Sequence, residues 1–354
     1  MKYTLSICLA VYNQSELVRR NLANLIKIPF DDVQIVISDD CSTENIKALV
    51  ESFSDSRIKY CKTNCNIGHD ANIINAFLNC DSSYAFLLRA RDTICIDRIE
   101  SIKRVICTNP HAAYFRFGAK GLNDEIRMSF NDCIYQCGIP SIKADSFIPL
   151  HPSGDLYNLN LISRTDLEWI SSFVTARFPE KNGFLSHILL RHLLASNGAL
   201  VTSSDYVWFY AKTVASTDVA VNSGKGKIKG FSPYSPRFQY KRYKSEIEYI
   251  VSKIPINMQK RFIKYIVKRY AEYITVIFGV INNSEGMRAH YACEKEDFSS
   301  AEEKKKFIKF SKTEFDFCDR KIQKYISSVA LFYIRVYLPL LSLKKKLKHE
   351  SYQL

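Results

Sequence analysis

The sequence lacks a long apolar run that is free of charge. The strongly apolar stretch 325–343 contains Arg335 and Pro339 and is followed by four lysines within 344–348. A membrane-spanning helix needs about 20 consecutive apolar residues. A spanning helix is therefore disfavoured in this stretch. The pattern favours either a helix that lies on a bilayer surface or one that packs against the main domain.

A secretory leader is also missing from the pattern of the first residues. The segment 1–4 continues directly into a strand-like run, without a basic start, a long apolar core or a small-residue cleavage site. We therefore expect the chain to be cytoplasmic.

Zinc-type cysteine spacing is absent as well, although the chain has 11 cysteines. Cys61 and Cys65, like Cys133 and Cys137, are separated by three residues, and neither pair has a second pair or histidines at zinc spacing. Most of the other cysteines lie within apolar runs. We expect reduced, partly buried thiols rather than a disulfide scaffold or a zinc site.

The net charge is close to zero over the first two thirds of the chain, and the net positive charge is concentrated in the last third. Residues 235–354 hold 25 Lys/Arg against 13 Asp/Glu, so 12 of the 14 net positive charges lie there. The Gly- and Lys-rich segment 222–230 indicates a mobile loop or a domain boundary. We predict a main domain over 1–232 and a basic helical region over 233–354. No nucleic-acid-binding motif is present, and the lysine cluster after an apolar run suits an anionic membrane better.

The first 210 residues alternate between short apolar runs and amphipathic segments. This alternation predicts an α/β fold with a mostly parallel sheet flanked by helices. The predicted strands are 5–11, 33–38, 57–62, 84–88, 112–117 and 200–210. The predicted helices are 15–26 with Ser15 as its cap, 43–53, 70–79, 97–107, 164–177 and 184–196, and the stretch 118–160 is less regular.

Two adjacent carboxylates, Asp39 and Asp40, end the apolar run that begins at Val33. Open α/β sheets bind ligands at the carboxyl ends of their strands. The run Leu5–Val11 ends in the same way on Tyr12 and Asn13. A ligand site at this edge is one interpretation. The other is a solvated turn in which Ser42 or Thr43 caps the next helix.

Three segments in this order, 6–13, 33–43 and 64–75, resemble the nucleotide-sugar-binding half of GT-A glycosyltransferases of family 2. The resemblance covers roughly the first 110 residues well and 150–210 only loosely. It implies a GT-A (Rossmann-like) fold. It also implies that the nucleotide is contacted at the strand ends and at the loop that precedes the third helix. The implied donor-binding residues there are Ala10, Tyr12, Asn13, Asp39, Asp40, Gly68 and Asn72.

The chain departs from this family after the fourth strand. Family members carry an Asp-x-Asp motif there that holds a divalent metal on the donor diphosphate, whereas this chain has Arg89-Ala90-Arg91-Asp92. We therefore expect no cofactor: magnesium or manganese is disfavoured, and Asp92 is the one candidate ligand. Arg89 and Arg91 could neutralise the diphosphate instead. Alternatively, the protein is catalytically inactive, or its donor differs from a nucleoside diphosphate sugar.

The base that would take the acceptor proton has three candidates in the sequence. The family usually supplies an Asp or Glu at a helix start well beyond the metal motif. His187 and Glu180 lie in that region, and histidine is a side chain that can act as a base near neutral pH. Asp155, in the loop that follows Ser153 and Gly154, is a third candidate and could instead orient the acceptor.

The resemblance implies an inverting, hexosyltransferase-like glycosyltransferase. The resemblance implies a nucleotide-sugar donor, a glycan or lipid-carrier-linked acceptor, and a role in bacterial surface polysaccharide biosynthesis such as O antigen or capsule. With the basic C-terminal region, it implies a peripheral location on the inner face of the cell membrane. The alternative is a noncatalytic nucleotide- or glycan-binding subunit of a polysaccharide assembly complex.

Overall fold

A computed structural model describes residues 2–121, 123–135, 153–177 and 198–211, together with scattered single positions between 190 and 340. The chain divides into two compact units, Met1–Val214 and Ala215–Leu354. The predicted boundary near residue 232 stays a prediction. Almost all of the described residues belong to the first unit, which carries a mixed α/β fold.

Four parallel strands form one half of a central sheet, in the spatial order β3-β2-β1-β4. They are β1 (Tyr3–Val11), β2 (Val33–Asp39), β3 (Ile58–Lys62) and β4 (Ser82–Leu87). Every residue of β2 is buried, as expected for a strand covered on both faces. The register places Val11 beside Asp39 and Asp39 beside Lys62, so these strands end at one edge.

The other half of the sheet is mixed and continues from β4 with β9 (Asp155–Asn158), β6 (Ala112–Gly121), β10 (Ala199–Tyr210) and β5 (Thr93–Ile94), in that spatial order. The short strand β9 is antiparallel to both β4 and β6. Next to β6 runs β10, which is parallel to β6. Strand β5, together with β7 (Ile126–Met128) and β8 (Cys133–Tyr135), is paired antiparallel at the margin of this half.

Helices cover the sheet because successive strand side chains alternate between its two faces. Leu5, Ile7 and Leu9 share a core with the apolar sides of α1 (Ser15–Leu25), α2 (Ile46–Glu51) and α4 (Ile99–Thr108). The opposite face of β1 and β2 packs against α3 (His69–Leu78), which contacts α5 (Arg164–Arg177). Single 3₁₀ turns lie at Ile96–Arg98 and Leu159–Leu161.

The α/β fold class and all of the predicted strands are confirmed, with small differences at the ends. Two helix caps differ from those that the sequence suggests. Gln14, not Ser15, precedes α1, and the backbone N–H of Ser15 donates to the Glu44 carboxylate at 2.8 Å. The cap of α2 is Asn45, whose side chain accepts from the Ala48 N–H, rather than Ser42 or Thr43.

Some predictions concern parts of the chain that the structure describes at only a few positions. The predicted helix 184–196 has two described positions, Leu190 and Leu194, both helical and buried. Most of the basic helical region 233–354 lies outside the described residues, and its predicted character stays a prediction. Within the described part of the chain, no helix is both long and apolar enough to cross a membrane.

Candidate active site at the carboxyl ends of the parallel strands

The candidate site lies where β1 has β2 on one side and β4 on the other. The chain leaves β1 in one direction to form β2 and β3 and later crosses over to β4, so the strand order reverses at β1. Open α/β sheets form a crevice at such a reversal point. The loops after β1, β2 and β4 carry most of the predicted donor-binding residues. The topology therefore brings these segments to one edge, as the sequence indicates.

Asn13 fixes the turn that follows β2. Its backbone adopts the left-handed conformation, with a φ of 49°, and its N–H donates to Ser42 Oγ at 2.9 Å. Its side-chain Oδ1 accepts from the backbone N–H of Thr43 at 2.8 Å and of Glu44 at 3.3 Å. Asn13 therefore joins two strand-end loops. Its neighbour Tyr12 is half-buried in the same turn, and Ala10 lies beside Ser38 in the strand register.

Asp39 is completely buried, and protein donors bind both of its carboxylate oxygens. Oδ1 accepts from the Ser42 N–H at 2.9 Å, and Oδ2 accepts from the hydroxyl of Tyr60 at 2.7 Å. The ammonium of Lys62 lies 3.9 Å from Oδ2. Burial, and then the hydrogen bond to Asp39, raise the pKa of Tyr60 above its ordinary value. Asp39 therefore holds the end of β3 against the turn after β2.

Asp40 shapes the loop that leads into α3. Its Oδ1 accepts from the N–H of Ile67 at 2.6 Å, and its Oδ2 accepts from the N–H of Gly68 at 2.9 Å. Gly68 has φ 93° and ψ 158°, a conformation that is essentially restricted to glycine. Carboxylates bound by two backbone N–H groups are strongly held. Asp40 thus anchors the glycine loop that the sequence analysis places beside the nucleotide.

Asn72, at the second turn of α3, fastens the helix to the strand ends. Its Oδ1 accepts from Ser38 Oγ at 2.6 Å, and its Nδ2 donates to the carbonyl oxygen of Ser38 at 2.9 Å and that of Val11 at 3.3 Å. The residue is 2% exposed. Among the predicted donor-binding residues, Asp39, Asp40 and Asn72 are thus buried groups whose visible partners are protein atoms. Whether they also contact a nucleotide stays a prediction.

Asp92 is the centre of a second buried cluster, after β4. Its carboxylate forms a two-point ion pair with Arg89, from Nε to Oδ2 at 2.8 Å and from Nη2 to Oδ1 at 2.9 Å. Oδ2 also accepts from the hydroxyl of Ser153 at 2.6 Å, and Oδ1 accepts from the N–H of Ala211 at 3.1 Å. These four donors fill the acceptor positions of one carboxylate. The guanidinium of Arg89 also lies 5.5 Å from the ring centre of Tyr210.

Arg91 differs from Arg89 although it belongs to the same loop. Its backbone carbonyl accepts from Nη2 of Arg20 at 2.6 Å, and the preceding carbonyl, of Ala90, accepts from Nδ2 of Asn21 at 2.6 Å. Its half-buried side chain has no hydrogen-bond or ion-pair partner among the described residues. The loop backbone is thus held by α1, while the charge of Arg91 is left uncompensated within the described part.

A divalent metal does not fit the residues present at this loop. Magnesium and manganese need several oxygen ligands, whereas Asp92 is the one acid of the loop, and its acceptor positions are filled by protein donors. The guanidinium of Arg89 is already bound to that carboxylate. Across the described ranges, no three His, Cys, Asp or Glu side chains converge as a metal site. The eight described cysteines are free thiols.

Asp155 lies at the start of β9, beside Leu87 at the end of β4, and so reaches the same edge of the sheet. It is 1% exposed, and its Oδ1 is 3.3 Å from Nε of the equally buried Arg116. The hydroxyl of Tyr157 donates to its Oδ2 at 3.2 Å. Such a buried ion pair favours an orienting role over proton transfer. The other two predicted bases, Glu180 and His187, lie outside the described residues.

Several residues that shape this edge are not predicted as site residues from the sequence. Ser153 and Gly154 come from a stretch that shows no regular pattern, yet Gly154 has φ 84°, and a Cβ there would lie 2.1 Å from Nε1 of Trp208. Tyr60 and Lys62 carried a weak signal, since alternate positions of a strand share one face. Arg116 and Tyr210 depend on contacts between distant strands, which no local pattern shows.

Comparisons with known proteins agree with this arrangement. Residues 6–152 match the family model described as Glycosyl transferase family 2. The structure is similar to that of S. aureus TarS, residues 1–349. With TarS in complex with UDP-GlcNAc, the TM-score is 0.59 at 15% identity over 94% of this chain and 89% of that chain. With the UDP complex, it is 0.57 at 16% identity over the same shares. No curated protein sequence matches the chain.

The fold and the family match together define the class of protein: the chain is a glycosyltransferase with a GT-A fold. The part of the chain that matches the family model of glycosyl transferase family 2 is residues 6–152. At the identities found, the likeness to TarS shows the fold alone.

Proposed function

We propose that this enzyme moves one sugar from a nucleotide-sugar donor to a glycan or lipid-carrier-linked acceptor, with inversion, in bacterial surface polysaccharide biosynthesis. The observation that carries the proposal is the gathering of three loops at one sheet edge, all within the family-matched segment: the turn 12–13, the turn 39–42 and the glycine loop anchored by Asp40. TarS, of similar fold, is known in complex with UDP and UDP-GlcNAc, which supports a nucleotide-sugar donor.

The reaction that we propose is a direct displacement at the anomeric carbon. The acceptor hydroxyl oxygen attacks C1 of the sugar from the face opposite the diphosphate, and the bond from C1 to the phosphate oxygen breaks. The electron pair of that bond stays on the leaving nucleoside diphosphate, and the hydroxyl proton passes to a general base. Glu180 and His187 are the proposed bases, because Asp155 is committed to Arg116.

Charge develops on the leaving diphosphate in this reaction and has to be neutralised. Because the loop after β4 offers no free acidic ligands for a metal, we propose that arginine supplies the positive charge there. A fixed guanidinium forks well onto phosphate oxygens. Such preorganised electrostatic stabilisation is a large part of catalysis in many enzymes.

The C-terminal region is proposed to hold the enzyme on the inner face of the cell membrane. Three described apolar residues are exposed at positions four apart: Phe332 at 51%, Val336 at 44% and Leu340 at 59%. Helical residues four apart share one face, and the lysines of 344–348 follow it in the sequence. Apolar and cationic residues of this kind suit an anionic lipid surface.

Vesicle sedimentation tests this membrane proposal. The protein is expected to bind vesicles that contain phosphatidylglycerol and not vesicles of phosphatidylcholine alone. A Val336→Asp/Leu340→Asp variant is expected to lose binding while it keeps its donor affinity. Equal binding of wild type and variant would reject the proposal.

A thermal-shift screen tests the proposed donor class. UDP, GDP, CDP, ADP and dTDP, each with its common sugar conjugates, are added to chelator-treated protein. A nucleotide that binds the folded state raises the melting temperature by mass action. We expect one nucleoside diphosphate to do so, and its sugar conjugate to do so as well. A chain that responds to none of them would contradict the proposed function.

A further inference from the structure

The two arginines of the loop after β4 differ in whether a neighbouring carboxylate neutralises their charge. Arg89 is joined to Asp92 through two hydrogen bonds of 2.8 and 2.9 Å, and its side chain is 19% exposed. A guanidinium and a carboxylate in contact sum to zero net charge. This pair therefore gives little field to a phosphate that approaches it, since attraction by the cation is offset by repulsion from the anion.

Arg89 is also fixed by its surroundings. Its own N–H donates to Ser153 Oγ at 2.8 Å, and that hydroxyl in turn donates to Asp92 at 2.6 Å. The ring of Tyr210 covers its guanidinium. Together with the bond from the N–H of Ala211 to Asp92, these contacts tie the loop after β4 to the start of β9 and the end of β10.

Arg91 has the opposite environment. Arg20 donates to the carbonyls of Ala90 and Arg91, at 3.1 and 2.6 Å, so the backbone at this point is held firmly from α1. No carboxylate of the described residues pairs with the Arg91 side chain. The guanidinium of Arg20 adds a second positive charge next to the same backbone. The structure therefore fixes the backbone of Arg91 in the loop after β4, and among the described residues no carboxylate neutralises its side chain.

We propose that Arg91 is the catalytic residue that binds and neutralises the leaving diphosphate, and that Arg89 is a positioning residue. This inference rests on the proposed function. In it, Arg91 stabilises the negative charge that the phosphate oxygen gains as its bond to C1 breaks. Arg89 and Asp92 form the internal support that keeps the loop in place, where other family members place metal-binding acids.

Isothermal titration calorimetry in the presence of EDTA tests whether Arg91 binds the diphosphate while Arg89 positions the loop. Wild type, Arg91→Ala, Arg91→Lys and Arg89→Ala are titrated with UDP and with uridine. A single phosphate contact from a charged donor is equivalent to about tenfold to a hundredfold in affinity. We expect Arg91→Ala to lose that much affinity for UDP and to bind uridine as wild type does. Arg91→Lys is expected to fall between the two.

Arg89→Ala is expected to behave differently, because it disturbs the loop rather than one phosphate contact. It should lower the affinities for UDP and for uridine by similar factors, and it should lower the melting temperature of the protein. Arg98→Ala is the matched control, since Arg98 is an exposed arginine of the following 3₁₀ turn. Its affinities for both ligands should equal those of wild type.

The outcomes separate this inference from the proposed function. If wild type binds UDP and Arg91→Ala binds it equally well, or loses UDP and uridine affinity by the same factor, the assignment of Arg91 is overturned while the proposed function stands. If the thermal-shift screen selects another base, the same titrations use that nucleoside and its diphosphate. If wild type binds none of the five nucleoside diphosphates, the proposed function itself fails, and this inference fails with it.

Discussion

Arg89 and Asp92, three residues apart in one loop, form a two-point ion pair in which the carboxylate is completely buried. The pair is internal to the loop, yet the other two donors to Asp92 come from Ser153 and Ala211, far away in the chain. In the loop that would hold a metal in related enzymes, the carboxylate of Asp92 is thus bound by the guanidinium of Arg89.

Removal of Arg89 is expected to destabilise the fold. Arg89→Ala leaves a buried carboxylate without its cation, a change that typically costs about 3–5 kcal/mol. Urea unfolding of Arg89→Ala and of the exposed-arginine variant Arg98→Ala measures the difference. A loss of less than about 1 kcal/mol for Arg89→Ala would show that the pair is not a structural support.

Asp40→Ala is expected to loosen the glycine loop before α3. The change leaves the N–H groups of Ile67 and Gly68 without their acceptor, and each hydrogen bond to a charged group contributes about 1.5–3 kcal/mol. Hydrogen exchange at these two amides should therefore become faster. Asp31→Ala, at an exposed aspartate, serves as the control. Unchanged exchange at Ile67 and Gly68 would contradict the role given to Asp40.

Gly68→Ala is expected to strain the same loop through the backbone alone. At φ 93° and ψ 158°, a residue with a Cβ costs about 1–3 kcal/mol. Chemical unfolding measures this loss. Ser54→Gly is the comparison. Ser54 has φ 50°, so glycine relieves the backbone strain there, but its greater conformational freedom in the unfolded chain lowers the stability by a similar amount. A Gly68→Ala protein as stable as wild type would show that the loop can adopt another conformation.

Tyr60→Phe is expected to remove a pH-dependent part of the stability. Burial and the bond to Asp39 raise the pKa of Tyr60 in the folded state, so its protonated form is favoured there. The contribution is fully present below the unfolded value of about 10 and is lost as the pH rises above it. Wild type should exceed Tyr60→Phe by about 1–3 kcal/mol near neutral pH. The gap should narrow above pH of about 10.

Stability curves of the two proteins from neutral to alkaline pH check this prediction. Tyr206→Phe is a suitable control, since the hydroxyl of Tyr206 has no hydrogen-bond partner among the described residues. A gap between wild type and Tyr60→Phe that widens with rising pH would contradict the sign of the shift.

The sequence predicts the parallel half of the fold well because its strands are continuous apolar runs bounded by polar turns. Val33–Asp39, for instance, is buried at every position. It does not predict β9. That strand has four residues, Asp155–Asn158, and exists because β4 and β6 pair with it on both sides. Short antiparallel strands of this kind depend on tertiary pairing more than on local pattern.

The same distinction applies to the site. That Asp39, Asp40 and Asn13 meet at one edge follows from the rule that parallel strands end together. The donors that hold each acid do not follow from any local pattern. Asp39 is bound by Tyr60 through the register of β2 and β3, and Asp92 is bound by Ser153 through β9. The unequal surroundings of Arg89 and Arg91, which look equivalent in the sequence, emerge only from such contacts.

Donor turnover in the presence of EDTA tests the central claim most directly. Release of UDP from UDP-GlcNAc, or of the corresponding nucleotide from the donor selected by thermal shift, is measured with chelator-treated wild type and with Arg91→Ala. Transfer supported by arginine predicts that wild type keeps its rate in EDTA and that Arg91→Ala loses most of it. A wild-type rate that vanishes in EDTA and returns with magnesium or manganese would contradict this account.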